Sequence, residues 1–227
     1  MKDIFRIKRH FFVLMGLFCL NVVRSFSQGI PPEINQLIQQ ASAETDFTRK
    51  KQLLSDADTK ANDLLSVNIK NAWLWFGKGL ISQMLNQYDV ARDYHKQAIE
   101  YDSDIPEFHL HFGVSHYKLD NLNEALASFQ QAVQKGIAKK DKSVQADAWY
   151  WQGEIHKVRG DTADARLACS LALKLKPDHF EAKNYWTRSI GLPGMKKEKR
   201  RLQKRIGQTQ KPTLKKFLQI TGMYEIS

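Results

Sequence analysis

Small and large residues recur along the middle of the chain with helical spacing, and the whole pattern returns after 34 residues. A large residue is followed four positions later by glycine, twelve positions after that by a small residue, and seven further on by another. Such spacings predict helices that pack closely through their small positions. Three units begin at residues 72, 106 and 146, the third after six inserted residues. Their small positions are Gly79, Ala91, Ala98, Gly113, Ala125, Ala132, Gly153, Ala165 and Ala172.

Short polar signals separate the predicted helices within each unit. Asp161 is followed three residues later by Asp164, and Asn121 and Glu124 have the same spacing. A short polar residue with an acid three positions on is typical of the start of a helix. Gly160, directly before Asp161, predicts a tight turn between two helices.

Further helical segments flank the three units. Residues 33–70 repeat the small positions without the glycine and predict a degenerate opening helix pair. Residues 180–190 predict one closing helix, because a repeat array needs a cover for its last apolar face. Gly136 and the lysine-rich residues 139–142 predict a widened loop before the third unit. The predicted segments are 1–27, 33–70, 72–105, 106–139, 146–179, 180–190 and 191–227.

The 34-residue unit resembles the tetratricopeptide repeat. The third unit fits best, with Trp149, Gly153, Ala165, Ala172 and Pro177 at the positions that the family favours. The resemblance covers residues 33–190. It implies an all-α fold, a right-handed solenoid of antiparallel helix pairs with a closing helix and a basic tail.

The resemblance also implies a concave groove lined by the first helix of each unit. Some relatives hold a partner's terminal carboxylate with Lys and Asn, but Phe76 and Leu80 stand at those positions here. The implied groove is apolar and aromatic in the first two units and carries charges in the third, at Asp147, Glu154 and Lys157. The predicted contact residues are Trp73, Phe76, Leu80, Met84, Leu110, Val114, Tyr117 and Tyr150.

These features predict a non-enzymatic scaffold or adaptor. An apolar stripe with aromatic anchors suits an amphipathic helix or hydrophobic peptide of a partner protein. The alternative is a surface-tethered structural subunit, attached through the basic tail, whose groove is covered by its own chain. A tail contact would weaken steeply with added salt, whereas an apolar groove contact would not.

The first 27 residues have the three parts of a secretory signal. Four basic residues precede an apolar run over residues 11–23, and small residues follow at positions 25 and 27. Thirteen helical residues span about 20 Å, short of the ~30 Å hydrocarbon core of a bilayer. We therefore expect cleavage near Ser27 and an exported protein, periplasmic, associated with the cell envelope or secreted. Retention as an uncleaved anchor is the alternative.

The net charge of +11 is concentrated at the two ends of the chain. Residues 1–24 hold five Lys or Arg against one acid and residues 195–227 hold ten against two, so the residues between them are almost neutral. The first basic residues of the tail are Lys196, Lys197, Lys199, Arg200, Arg201, Lys204 and Arg205. An anionic membrane surface is a candidate partner of this tail. Nucleic acid and small-molecule substrates are not expected for an exported binding protein.

No motif for catalysis accompanies these features. The sequence lacks a phosphate loop, a dinucleotide fingerprint and a Gly-x-Ser-x-Gly elbow. His109 and His116 share a helical face, but no His-Glu-x-x-His and no cysteine pair supports a metal site. These histidines and His95 stand at positions that are usually apolar or aromatic in the family. Histidines at such positions are typically partly buried residues that pack between helices. Cys169 has the place of a small apolar filler. We predict no catalytic residue, no metal and no cofactor.

Overall fold

The computed structural model describes residues 29–190, with side chains described through residue 186. The predicted signal (1–27) and the predicted basic tail (191–227), including all of its Lys and Arg residues, lie outside these residues. The described part of the chain forms nine α-helices and no strand, which confirms the predicted all-α repeat fold. Within residues 29–190, no helix has both the length and the hydropathy required to cross a bilayer.

The chain divides into two compact units after Tyr101. In the first unit the helices are α1 (Pro32–Ala43), α2 (Phe47–Val67), α3 (Ala72–Met84) and α4 (Tyr88–Tyr101). In the second unit they are α5 (Pro106–Lys118), α6 (Leu122–Lys139), α7 (Lys142–Val158), α8 (Thr162–Leu175) and α9 (Phe180–Ile190).

The first unit is built from two helix pairs, α1 with α2 and α3 with α4, and α3 also packs against α1 and α2. Ile34, Leu54, Leu74 and Ile81 form the centre of its core. The Asn71 side chain begins α3 by accepting hydrogen bonds from the first-turn N–H groups, which fixes where this helix starts.

A buried cation joins α2 to α3 in the first unit. The Lys78 side chain is 6% exposed, and its Nζ lies 2.5 Å from Asp58 Oδ1. The same ammonium donates to Asn62 Oδ1 at 2.7 Å and lies 4.9 Å from the centroid of the Tyr94 ring. Three partners therefore compensate a charge that burial would otherwise make costly.

The second unit has two repeats and the closing helix: α5 packs on α6, α7 on α8, and α9 on α8, while α7 also contacts α5 and α6. Phe129, Val133, Ile155 and Leu171 form the fully buried centre of its core. These four side chains come from the second helix of one repeat and both helices of the next, as stacking of repeats requires.

The predicted widened loop before the third repeat is wrong. Gly136 is helical, α6 continues to Lys139, and α7 begins at Lys142, four residues before Ala146. Only a left-handed Lys140 and the N-cap Asp141 separate the two helices. The inserted residues therefore lengthen the helices, because lysine and alanine favour a helix and Asp141 caps the next one.

Tight turns of one design join the two helices inside each repeat. Asn86, Asp120 and Gly160 occupy equivalent positions, and all three have positive φ angles, of 59°, 61° and 80°. The next residue closes each turn by donating its N–H to a carbonyl five residues back, at 2.8–2.9 Å. This geometry confirms the predicted tight turn at Gly160, and it is the usual way to end a helix with a left-handed residue.

Asn121 and Asp161 lie at the N-cap positions of α6 and α8, as their spacing predicts. In the described part of the chain neither side chain accepts a hydrogen bond from its helix start. The Asp161 carboxylate lies instead 3.8 Å from His156 Nδ1. Capping therefore comes from backbone geometry at these two sites.

Each repeat places a glycine of its first helix against one side chain of its second helix. A Cβ added at Gly79 would lie 2.2 Å from the His95 ring, and one at Gly113 would lie 2.7 Å from the Phe129 ring. At Gly153 the nearest atom would be Cys169 Sγ at 3.0 Å. The small positions predicted to pack between helices are all buried. The close approach of the two helices thus requires the absence of a side chain at the glycine.

Candidate functional site

The first-helix face of the first unit presents a partly exposed apolar surface. Trp73, Leu80 and Met84 are partly buried, whereas Phe76 is only 4% exposed. The Phe76 ring lies 5.7 Å from the Trp73 ring, edge-on, and 5.4 Å from the His95 ring. Phe76 therefore supports Trp73 from beneath, and a ligand on this face would meet Trp73, Leu80 and Met84.

The second unit carries an aromatic cluster that consists of Tyr117, Tyr150 and Trp151. The Trp151 ring centroid lies 5.2 Å from that of Tyr117 and 5.5 Å from that of Tyr150, and the ring stacks on Phe129 at 6.1 Å. All three members are partly buried, as is Val114 nearby on α5, whereas Leu110 is 6% exposed and belongs to the core. Rigid aromatic rings that keep part of their surface in solvent are the usual anchors of peptide recognition.

A shielded carboxylate lies beside this aromatic cluster. Glu154 has a side chain that is 13% exposed and forms an ion pair with Lys157, one turn further along α7. The Lys157 ammonium also lies 5.8 Å from the centroid of the Tyr185 ring on α9. Burial, and next the Glu154 carboxylate, raise the pKa of Tyr117 and of Tyr150. Both phenols are therefore protonated at neutral pH and can donate hydrogen bonds.

His179 links α7 to the start of α9. Its Nε2 lies 3.2 Å from Asp147 Oδ1, and its Nδ1 accepts the Ala182 N–H at 3.3 Å. The Glu181 carboxylate also lies 3.3 Å from Nδ1, so the ring is held between two acidic side chains. His179 caps α9 in the way that Asn71 caps α3, and its ring lies 5.1 Å from that of Tyr150. This network fixes the position of Tyr150 within the aromatic cluster.

The sixth residue of each 34-residue repeat was not among the contact residues that the resemblance implied. It holds Gly77, His111, Trp151 and, in the closing helix, Tyr185, with the 34-residue spacing continuing from Trp151 to Tyr185. Extending the repeat into the closing helix would have identified Tyr185. The central place of Trp151 had no such signal, because it depends on how α7 lies against α5.

The histidines and the cysteine of the described chain have structural surroundings. His109 Nε2 lies 2.9 Å from the Ser103 carbonyl, and His95 is fully buried between helices. Burial, and next the Glu154 carboxylate, raise the pKa of the Cys169 thiol to about 12. A protonated, buried thiol is a poor nucleophile.

One group within residues 29–190 brings three metal-ligating side chains together. His156, Asp161 and Asp164 place one potential ligand atom each within 4.8 Å of the others, at the turn between α7 and α8. Asp161 is exposed, and exposed acidic groups are common without a bound ion. The group is an ordinary polar helix junction, and we assign no metal to it.

Comparison with known protein families matches residues 83–140 and 112–180 to the family described as tetratricopeptide repeat. A comparison with curated proteins gives no match. Among solved structures, the crystal structure of MamA has a TM-score of 0.55 at 17% identity and covers 80% of this chain and 99% of that one. A second crystal structure of MamA protein has a TM-score of 0.54 at 17% identity, covering 85% and 98%.

A third structure, the first TPR of Spaghetti (RPAP3) bound to the HSP90 peptide SRMEEVD, has a TM-score of 0.46 at 20% identity and covers 52% of this chain and 88% of that one. A TM-score of 0.46 is too low to support a conclusion about this chain. The two MamA structures show the fold alone. Together, the helix pairs, their 34-residue period and the family match over residues 83–180 show that this region is similar to the tetratricopeptide repeat family.

Proposed function

We propose that the chain is a non-enzymatic scaffold that binds a peptide or helix of a partner protein on the first-helix faces of its repeats. The observation that carries the proposal is the aromatic cluster of Tyr117, Tyr150 and Trp151, whose rings support one another while keeping part of their surface in solvent. Preformed aromatic surfaces of this kind bind peptides at low cost in side-chain entropy.

The burial of Phe76 and Leu110 narrows the surface on which a partner would lie. On the first unit the contact residues are Trp73, Leu80 and Met84; on the second they are Val114 and the aromatic cluster. Apolar surface of this kind suits an extended apolar peptide or one face of an amphipathic helix.

The absence of catalysis is part of the proposal. Near the aromatic cluster, described polar groups pair with one another: His179 with Asp147, and Lys157 with Glu154. The Cys169 thiol is protonated and buried. This thiol is therefore not available as a nucleophile.

Affinity capture with matched variants tests the proposal. The full chain is immobilised and incubated with an extract of the source cells and with its envelope fraction. The face variant combines Trp73→Ala, Tyr117→Ala and Tyr150→Ala. The control variant removes three apolar side chains that are exposed on other helices, Phe47, Val90 and Tyr101. Circular dichroism first establishes that each variant is folded.

We expect the face variant to lose a partner that the intact chain and the control variant both retain. Equal binding by all three forms would contradict the proposal. A fourth form, with Lys196, Lys197, Lys199 and Arg200 replaced by Gln, tests the alternative of a structural subunit tethered through its tail. Loss of the partner in this form alone, with binding that falls steeply with salt, would establish tethering instead.

We also propose that the protein is exported and loses residues 1–27. The basic start, the apolar run and the small residues at 25 and 27 support this proposal. Cell fractionation followed by mass spectrometry of the intact protein tests it. The expected species begins at Gln28 outside the cytoplasm; a cytoplasmic chain that retains Met1 would contradict it.

A further inference from the structure

In the ion pair between Glu154 and Lys157 the carboxylate is the more buried member, whereas in the pair between Asp58 and Lys78 it is the cation. The Glu154 side chain is 13% exposed, whereas the Lys157 side chain is 45% exposed. Lys157 pairs with Glu154 from the following turn of α7. A carboxylate that is mostly removed from water needs a cation, but it does not need this particular one.

The charge of this carboxylate acts on tyrosines from three helices. Tyr117 on α5 and Tyr150 on α7 are partly buried, and burial and next the Glu154 charge raise the pKa of each phenol. Burial and next Cys169 raise the pKa of the partly buried Tyr185 on α9, where the Glu154 charge acts against those of Lys157 and Arg166. The Lys157 ammonium lies at cation–π distance from the Tyr185 ring. A carboxylate among aromatic rings has the chemistry that binds guanidinium and alkylammonium groups.

Lys78 in the first unit shows what a structural version of such a pair looks like. There the cation is the buried member, and Asp58, Asn62 and Tyr94 all contact it. Its exchange for another cation would require α2 and α3 to separate. Lys157 can leave Glu154 by side-chain rotation alone, because nearly half of its side chain is already in solvent.

Carboxylates act on Tyr150 from two helices. The Glu154 and Glu181 charges both raise the pKa of its phenol. Asp147 and Glu181 lie against His179, whose ring contacts that of Tyr150, and Lys157 and Lys176 pair with Glu154 and Asp147. The negative field at Tyr150 favours a positively charged ligand over a neutral or acidic one.

We propose that Glu154 binds an arginine or lysine side chain of the partner peptide, with Lys157 moving into solvent as the ligand cation enters. This inference rests on the proposed function and adds the chemistry of the partner: apolar residues on the aromatic cluster, and one basic residue beside them. Arginine binds more tightly than lysine, because its planar guanidinium can bond both carboxylate oxygens and lie against a tyrosine ring.

Peptide selection tests this site without knowledge of the natural partner. The full chain is used to select from a displayed library of random twelve-residue peptides, in parallel with Glu154→Gln and with Glu124→Gln as a matched control. Glu124 is an exposed acid on α6. We expect the intact chain and Glu124→Gln to select peptides with a basic residue at one fixed distance from apolar residues. Glu154→Gln should select apolar peptides without that basic position.

Affinities of a selected peptide then measure the contribution of the charge. A fluorescently labelled peptide with arginine is compared with a twin that carries citrulline, its neutral analogue. We expect citrulline to weaken binding to the intact chain about tenfold, as for one charged hydrogen-bonded pair that is partly solvated. The difference should fall below about twofold in Glu154→Gln. Lys157→Met should bind the arginine peptide more tightly, because it removes the competing cation.

Each other outcome has a definite meaning. If no peptide is selected, the proposed function fails together with this inference. If apolar peptides are selected without a basic preference, or if the preference persists in Glu154→Gln, only this inference fails. The remaining possibility is that the chain's own tail occupies the site, and a full chain with Lys196, Lys197 and Lys199 replaced by Gln tests it. The tail occupies the site in place of a partner if this variant binds the arginine peptide more than about tenfold more tightly than the intact chain does, and if the same replacements give no such gain in Glu154→Gln.

Discussion

At the scale of single residues, the three repeats solve one packing problem with three different side chains. The glycine of the first helix faces histidine in the first repeat, phenylalanine in the second and cysteine in the third. His95 and Phe129 are completely buried and Cys169 is 1% exposed. The backbone arrangement is therefore shared, while the volume and polarity that fill it differ.

Alanine at Gly79 or Gly113 should destabilise the protein despite the better helix propensity of alanine. Alanine gains about 1 kcal/mol over glycine in a helix interior. The added methyl would lie 2.2 Å or 2.7 Å from a buried ring, and overpacking of this kind costs about 1–3 kcal/mol or more. We expect a net loss of about 2 kcal/mol in urea unfolding, larger for Gly79→Ala than for Gly113→Ala.

Gly77→Ala is the matched control for this prediction, on the same helix as Gly79. Its methyl would meet Ile30 and Ile34 at 3.6 Å and 3.9 Å, which are ordinary contact distances. We therefore expect this variant to gain up to about 1 kcal/mol from helix propensity. Equal effects of the Gly77 and Gly79 substitutions would show that close packing does not decide these positions.

Cys169 should resist alkylation in the native protein. Its thiol pKa is raised to about 12, so the thiolate, which is the reactive form, is almost absent at pH 8. In a Cys19→Ser chain, we expect iodoacetamide to label Cys169 at least about a hundredfold more slowly before denaturation than after it. Comparable rates, measured by mass spectrometry, would mean that α8 exposes this residue in solution.

At the scale of helices, the sequence predicts the order of the elements well and the contacts between them less well. The small positions and the left-handed Gly160 follow from local chemistry, which can be read along the chain. The six inserted residues were predicted as a loop because Gly136 and the lysines suggested one. Four of the six, residues 142–145, are helical because Asp141 starts α7 directly before them, and nothing breaks α6 before Lys140.

The candidate site was predicted only in part, for a physical reason. The family resemblance implies which residues lie on the first-helix face, and Tyr117, Tyr150 and Glu154 are among them. It does not show how deep each residue lies, since depth depends on the neighbouring helix. Phe76 and Leu110 are consequently buried although the resemblance implied that they line the groove. Trp151 lies at the centre of the aromatic cluster although it was not among the implied contact residues.

The buried ion pair between α2 and α3 should respond unequally to removal of its two members, Asp58 and Lys78. Asp58→Ala leaves the Lys78 ammonium buried without its carboxylate, and we expect a loss of about 1–3 kcal/mol. Lys78→Met removes the buried charge itself and fills the space with an apolar chain, so we expect less than about 1 kcal/mol. Urea unfolding of both variants and of their combination checks this order. A larger loss for Lys78→Met would mean that the pair is a net source of stability.

At the scale of the whole chain, the described residues form two units with separate cores. Each core is made by helices that are neighbours in sequence, since every packed pair described here lies at most two helices apart. Local contacts of this kind favour rapid folding. Stability measurements should therefore follow each unit with its own probe rather than assume a single transition.

The stability of the second unit should fall as the pH drops from 7 towards 4. Burial lowers the pKa of His111 to about 4, against the opposing charge of Asp147. Between pH 6.5 and 4 the unfolded chain binds a proton at this residue that the folded chain excludes, so the unfolding free energy decreases towards acid. The loss from this residue can reach about 3 kcal/mol.

His111→Gln isolates this contribution. His109 and Glu107 also titrate with shifted pKa values, lowered and raised respectively by burial. Their effects are present in both proteins and cancel in the difference between the two pH profiles. We expect the variant to have the flatter profile in urea unfolding monitored from pH 7 to pH 4. Parallel profiles would contradict burial of a neutral His111.

The three different residues opposite the repeat glycines also affect how errors in folding are avoided. A chain of similar repeats can pair the first helix of one repeat with the second helix of another. This slipped arrangement traps folding intermediates. Because a histidine, a phenylalanine and a cysteine fill the three glycine sites, a slipped pair would leave a void or force a ring into a space too small for it. Each of these three side chains thus fits the glycine of its own repeat only. Placing the same residue at all three positions would let helices of neighbouring repeats pair with one another and would make slipped pairing more frequent.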